Sequence, residues 1–173
     1  MNYKLDSTVS IDTVIQSIQT DLYTSLGLIW PGELNGYGRV HKNGGKAEWY
    51  SGEGEYEGVY FDDNFSGNFF FIDGDQHSTE DEFVFKSDVK CVFMVNLNDI
   101  LPNSTLRQDL KAQEDVIKIL RDIAAKRYTI TGVDKDLKSI FRGLDTSAIT
   151  FENIHPSHSF AVNIKLSYYL SEC

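Results

Sequence analysis

Val89-Lys90-Cys91-Val92-Phe93-Met94-Val95-Asn96-Leu97 is the stretch on which the fold turns. Val89, Cys91, Phe93, Val95 and Leu97 alternate along one side with the two-residue period of a β-strand. Val92 and Met94 make the opposite side apolar too, so the strand reads as central, or covered on both faces. Such a strand needs neighbours along its edges and packing above and below.

Upstream, Asn68-Phe69-Phe70-Phe71-Ile72 and Val59-Tyr60-Phe61 are aromatic and β-branched, and Asp62-Asp63-Asn64 and Asp73-Gly74-Asp75 punctuate them as turns. Gly52-Glu53-Gly54-Glu55-Tyr56-Glu57-Gly58 alternates small or aromatic residues with acids and reads as an extended edge strand or a loop. Tyr37 to His41 and Ala47 to Tyr50 flank Lys42-Asn43-Gly44-Gly45-Lys46, a hairpin signal with an exposed tip. Farther upstream, Ile11, Val14, Ile15, Ile18, Leu22 and Leu26 repeat at helical spacing, with Ser10 as the expected N-cap and Gly27 as the stop.

Downstream, Asn96 to Ser104 reads as a connection, with Asn103 or Ser104 capping a helix over about 105–126 whose apolar side includes Leu106, Leu110, Val116, Leu120 and Ile123. Tyr128 to Val133 is a short strand, and Asp134 is the expected cap of a short helix bearing Leu137, Ile140, Phe141 and Leu144. Phe160, Val162, Ile164, Leu166, Tyr168 and Leu170 then alternate through a half-buried final strand. The order α-β-β-β-β-α-(β)-α-β predicts an α+β fold: a mainly antiparallel sheet of four to six strands packed against the N-terminal helix and a second long helix. We read residues 1–173 as one domain, with a projecting hairpin at 37–50.

The composition, 41% hydrophobic and 24% charged, is that of a globular chain. No apolar run approaches about 18 residues and the first residues lack a secretory segment, so we expect a soluble chain made in the cytoplasm, with no membrane partner. The two cysteines, Cys91 and Cys173, make no framework; a buried thiol and a terminal thiol is the simpler reading, and a pair between them stays open. The net charge of −10 is unevenly placed. From Ala47 to Phe85 there is no Lys or Arg, whereas residues 107–142 carry nine basic side chains against six acidic ones. One acidic and one mildly basic region can stack or ring through complementary surfaces, and an acidic surplus argues against sequence-specific nucleic-acid binding.

Asp73, Asp75, His77, Glu80 and Asp81 place oxygen ligands in one turn but lack the glycine and terminal glutamate of a calcium loop, and a solvated acidic turn is the simpler reading. His155 and His158 bracket Pro156-Ser157 in a loop, and His41 stands alone. The glycines at 52, 54 and 58 lack the Lys-Ser/Thr ending of a phosphate loop, and no nucleophile elbow is present. We expect no enzyme, no metal and no cofactor.

In order and size of elements the chain resembles the tail-terminator and neck-ring proteins of tailed bacteriophages. The likeness rests on the helix at 11–26, the sheet through Asn96, the helix near 105–126 and the strand at 160–170. It implies a homo-oligomeric ring, a hexamer or dodecamer, in the virion neck or tail, assembled in the host cytoplasm. Such a ring joins the connector to the tail tube and passes DNA through an axial channel. The family carries no catalytic signature to transfer. Under this reading Asn43, Gly44, Tyr56, Tyr60, Phe69 and Phe71 are expected at subunit contacts. Glu53, Glu55, Glu57, Asp62 and Asp63 then form an acidic channel wall or partner-facing surface. The alternative is a monomeric or dimeric module whose acidic face meets a protein or whose aromatics line a small-ligand pocket.

Overall fold

A strand apolar on both sides must serve two cores, and two are present in the computed structural model, which describes residues 1–60, 65–79, 81–123, 127–148 and 155–170. Helix α1 (Ser10–Ile29) is followed by strands β1 (Leu34–Asn43), β2 (Lys46–Gly52), β3 (Glu55–Gly58), β4 (Gly67–Asp73), β5 (Ser78–Thr79) and β6 (Val84–Asn96). A single helical turn, α2 (Leu97–Ile100), and the longer α3 (Gln108–Asp122) lead to β7 (Tyr128–Asp134). The short α4 (Leu137–Ile140), a 3-10 turn at Thr146–Ala148 and strand β8 (Ser157–Tyr169) complete the described chain.

The fold is α+β, with one mixed, mostly antiparallel sheet of eight strands in the order β3-β2-β1-β4-β6-β8-β7, and β5 paired to β6 off this path. Among the described strands, β1 and β4 are the one pair that runs parallel. Strand β6 lies between β4 and β8, as its double-sided apolar pattern requires. Phe69 and Phe71 of β4, Cys91, Phe93 and Val95 of β6, and Phe160, Val162 and Ile164 of β8 form one core with α1 and α3. Phe93 stacks on Phe160 at 4.9 Å between ring centres and on Phe69 at 5.5 Å. Phe70, Ile72, Val92, Met94 and Ala161 face the other way, into a core closed by Tyr37, Trp49 and the α4 residues Ile140 and Phe141.

A close approach at Gly36 and a tight turn at Gly44 and Gly45 both depend on glycine. A Cβ on Gly36 would lie 2.7 Å from Cζ of Phe69, so this position lets the ring reach its stack. The hairpin between β1 and β2 turns at Gly44 and Gly45, with φ of 55° and 87°, the conformation a two-residue hairpin demands. The N-terminal residues run beside β1: Tyr3 N–H donates to Gly36 O (2.8 Å) and Gly36 N–H to Met1 O (2.9 Å). Gln19, fully buried on α1, ties both segments down by donating to Tyr3 O and Gly36 O.

Several expectations are corrected. The sheet has eight strands rather than four to six, because β3 and β5 are short, fully exposed and carry no apolar period. Helix α1 has Val9 at the N-cap, with Ser10 its first residue, and passes through Gly27 to Ile29; it stops where Trp30 turns extended. Helix α3 begins at Gln108 with Arg107 at its cap, while the Ser104 hydroxyl accepts from Leu106 N–H in the preceding turn. Asp136, not Asp134, caps α4 by accepting from Ser139 N–H at 3.1 Å. The hairpin of β1 and β2 is not a free projection. Val40, Ala47 and Trp49 belong to the second core, and Asp145 N–H bonds Gly45 O at 2.6 Å across the tip. The predicted strand at 59–61 and helix end at 124–126 fall partly outside the described residues, as does Cys173. Cys91 is a free thiol at the sheet centre, and burial pushes its pKa up.

Candidate functional site

The sheet ends on two strands that pair on one side only among the described residues, β3 with β2 and β7 with β8. Unpaired strand edges present rows of free N–H and C=O groups, and they are where a folded sheet accepts another chain.

At the first edge the chain reverses through Gly52, Glu53 and Gly54, all at positive φ (111°, 53° and 86°). The turn is braced by Gly54 N–H donating to the Tyr50 hydroxyl and by the Ser51 hydroxyl donating to Glu55 O, both at 3.2 Å. All four residues of β3 are exposed. Glu57 stands opposite Trp49 in the register and Tyr56 opposite Tyr50. The two-residue period therefore sends Glu55 and Glu57 to the face of the second core and Tyr56 to the α1 face. Tyr56 packs against Tyr50 (5.3 Å between ring centres) and His41 (5.7 Å), yet is 48% exposed. Glu53, Glu55 and Glu57 form no ion pair with a described residue.

At the second edge, β7 turns Tyr128 and Ile130 toward the first core and exposes Thr129 and Thr131, with a bulge between Ile130 and Gly132. Thr129 pairs with Lys165 and Gly132 with Asn163, so these positions share the face of the second core. On that face, beside the edge, lies a groove of about 750 Å³ whose lining includes Thr131, Arg142, Asn163, Lys165, Lys90 and Lys42, together with Asp73, Asp75 and Asp88. Lys42 pairs with Asp75 at 3.0 Å, and Lys90 bonds Asp134 and Ser139 O. Burial raises the Asp134 carboxyl, but the bonds from Lys90 and Asn163 outweigh it and hold the pKa below its ordinary value. Arg142 and Lys165 form no ion pair with a described residue; Asp88 stands opposite Lys165 in the register without closing one.

The residues expected at subunit contacts separate into three groups. Asn43, Gly44 and Tyr56 are exposed, with Asn43 donating to Glu48 at 3.0 Å. Tyr60 is half-buried; its hydroxyl accepts from Ala47 N–H at 3.2 Å, and burial raises its pKa. Phe69 and Phe71 have no exposed surface and belong to the chain's own core, so they are corrected: no neighbour reaches them without unfolding the sheet. Of the expected acidic surface, Glu53, Glu55 and Glu57 share the β3 edge, while Asp62 and Asp63 lie outside the described residues.

The other chemical groups are tied into the fold. Asp73 holds Arg39 (3.2 Å) and His77 (3.3 Å), and Asp81 accepts from Phe83 and Val84 N–H, both at 2.8 Å; Glu80 lies outside the described residues. His77 Nδ1 meets the Tyr168 hydroxyl at 2.6 Å, His155 meets Gln108 at 2.8 Å and His158 meets Gln113 at 3.0 Å. Burial lowers the His158 pKa. Among the described residues no three His, Cys, Asp or Glu side chains are grouped to hold a metal ion, and no helix is long and apolar enough to cross a membrane. A cavity of about 200 Å³ lies between α1 and the hairpin, beside Tyr50 and Tyr56. Three of its polar side chains are already engaged: Arg39 grips Asp12 through two bonds (2.6 and 3.1 Å), and Gln16 bonds Leu5 N–H and C=O.

The groove of Arg142 and Lys165 had no local signal in the sequence, because β8 and the turn after α4 meet only through the sheet. The signals available were the basic bias of residues 107–142 and the polar side of the last strand. Comparisons with protein-family models, with curated proteins and with solved structures found no match to this chain.

Proposed function

We propose that the protein is a structural subunit of a homo-oligomeric ring at the neck or tail-tube end of a tailed phage, joining connector to tail around a channel that passes DNA. The observation that supports this reading most is the open sheet, whose two edges, β3 and β7, are unpaired among the described residues and stand at opposite ends of the strand order. Edges of this kind are either blunted or used. Glu53, Glu55 and Glu57 oppose pairing of β3 with another β3, since like charges across a strand pair repel. That disfavours a twofold dimer through this edge and favours its meeting the unlike β7 edge head to tail, a contact that closes into a ring when the rotation permits. The place in the virion is suggested by the resemblance, read from the sequence, of the order and size of elements to tail-terminator and neck-ring proteins. Connector and tail-tube proteins are the expected partners, and the acidic surplus of the chain keeps DNA moving through rather than bound.

Electron microscopy of the purified protein tests this reading. Annular particles with a central opening are expected; concentrated samples without them contradict it.

A further inference from the structure

We infer that strand β3 of one subunit adds to the β7 edge of a second copy of this chain, delivering Glu55 and Glu57 to the groove that holds Arg142 and Lys165. The inference rests on the ring reading and specifies its contact. Residues paired across a sheet share a face, so a strand added at β7 continues the faces of the sheet it joins. Glu55 and Glu57 lie on the second-core face of β3, and Thr129, Gly132 and the groove lie on the second-core face at β7. When sheet continues sheet, the glutamates arrive beside the cations.

Charge is complementary on both sides. The β3 edge carries Glu53, Glu55 and Glu57 without a cation between them, all unpaired among the described residues. The β7 side offers Arg142 and Lys165, which form no ion pair with a described residue, with exposed Arg127 and Lys135 flanking the two ends of the strand. Of the acids in or beside the groove, Asp75 is paired with Lys42, Asp134 with Lys90 and Asp73 with Arg39, while Asp88 stands opposite Lys165 in the register without closing an ion pair with it. Tyr56, on the other face of the added strand, would continue the α1 side of the neighbouring sheet. Exposed Thr129 and Thr131 present small side chains that a strand can lie against.

Charge reversal on each side and on both tests this contact. Glu55→Lys with Glu57→Lys, and separately Arg142→Glu with Lys165→Glu, are expected to shift the solution mass from ring to monomer at a concentration where the unmodified protein assembles. All four substitutions in one chain restore attraction across the same contact, and the ring should return. Circular dichroism and thermal midpoints check that each variant is folded. If the unmodified protein forms a ring and both reversed variants form it equally well, the edge contact is wrong and the ring stands. Failure of the fourfold variant to reassemble while folded also overturns the contact. A monomer at every concentration of the unmodified protein removes the ring reading, and this contact with it.

Discussion

Replacing Phe93 by alanine, and separately Met94 by alanine, asks whether the strand at the centre of the sheet carries two cores. The two residues are neighbours in sequence and point to opposite faces, and they are 1% and 0% exposed. Phe93 is held between the Phe69 and Phe160 rings, and Met94 lies among Phe70, Val92 and the α4 side of the sheet. Truncating a buried Phe costs about 3–5 kcal/mol and a buried Met about 2–5 kcal/mol, the transfer of the lost atoms plus the cavity they leave. For a domain of this length, where 1 kcal/mol moves the midpoint by about 2–4 °C, the Phe93 variant should melt about 6–20 °C lower. Either loss is a large share of a total stability of about 5–15 kcal/mol. Urea unfolding followed by tryptophan fluorescence suits the question, because Trp30 belongs to the first core and Trp49 to the second. Protein concentration must be held constant, since the proposed assembly would add to apparent stability. A half-exposed strand would show one large loss and one under about 0.5 kcal/mol, as surface substitutions do. That asymmetry would refute the two-core arrangement.

The remaining predictions concern glycine, protonation and the edges. Gly27→Ala, inside α1 with open space around its Cβ, should stabilise the protein by up to about 1 kcal/mol. Gly36→Ala drives a methyl group against the Phe69 ring and should cost about 1–3 kcal/mol, both read from urea midpoints. His158 has a folded pKa below its ordinary 6.5, burial being the first cause, so the unfolded chain takes up its proton more readily. Stability from this site is therefore full above the unfolded pKa and lost as pH falls through the window below it. Urea midpoints between about pH 7 and pH 5 should fall less steeply in His158→Gln than in the unmodified protein. Assembly through the charged edges should weaken as salt rises toward about 1 M, where screening shortens to about 3 Å.

The strands at β6 and β8 were legible because each carries its own alternation, and β6 in addition shows apolar residues on both sides. Helix α1 and the hairpin turn were legible for the same local reason, a helical stripe and a Gly-Gly pair. What escaped the sequence is set by tertiary contact. The parallel pairing of β1 with β4 depends on where the chain returns after the hairpin, and nothing in Leu34–Asn43 states which neighbour it will take. Phe69 and Phe71 are expected at subunit contacts because the ring reading assigns the aromatic-acidic stretch from Tyr56 to Phe71 to the interface; burial on both faces of β4 places the whole run from Phe69 to Ile72 inside. Strand β3 has no apolar period, so the sequence alone does not separate an edge strand from a loop there. Its charge was legible nonetheless. The cations proposed to complement it were not, since Arg142 and Lys165 are separate in sequence and come to line one groove only through the fold.

Absolute mass in solution, from light scattering coupled to size exclusion across protein concentration and at low and moderate salt, tests the ring most directly. The account predicts one discrete species of six or twelve 19.6 kDa subunits, shrinking as salt is raised. A single 19.6 kDa species at every concentration and salt would contradict it.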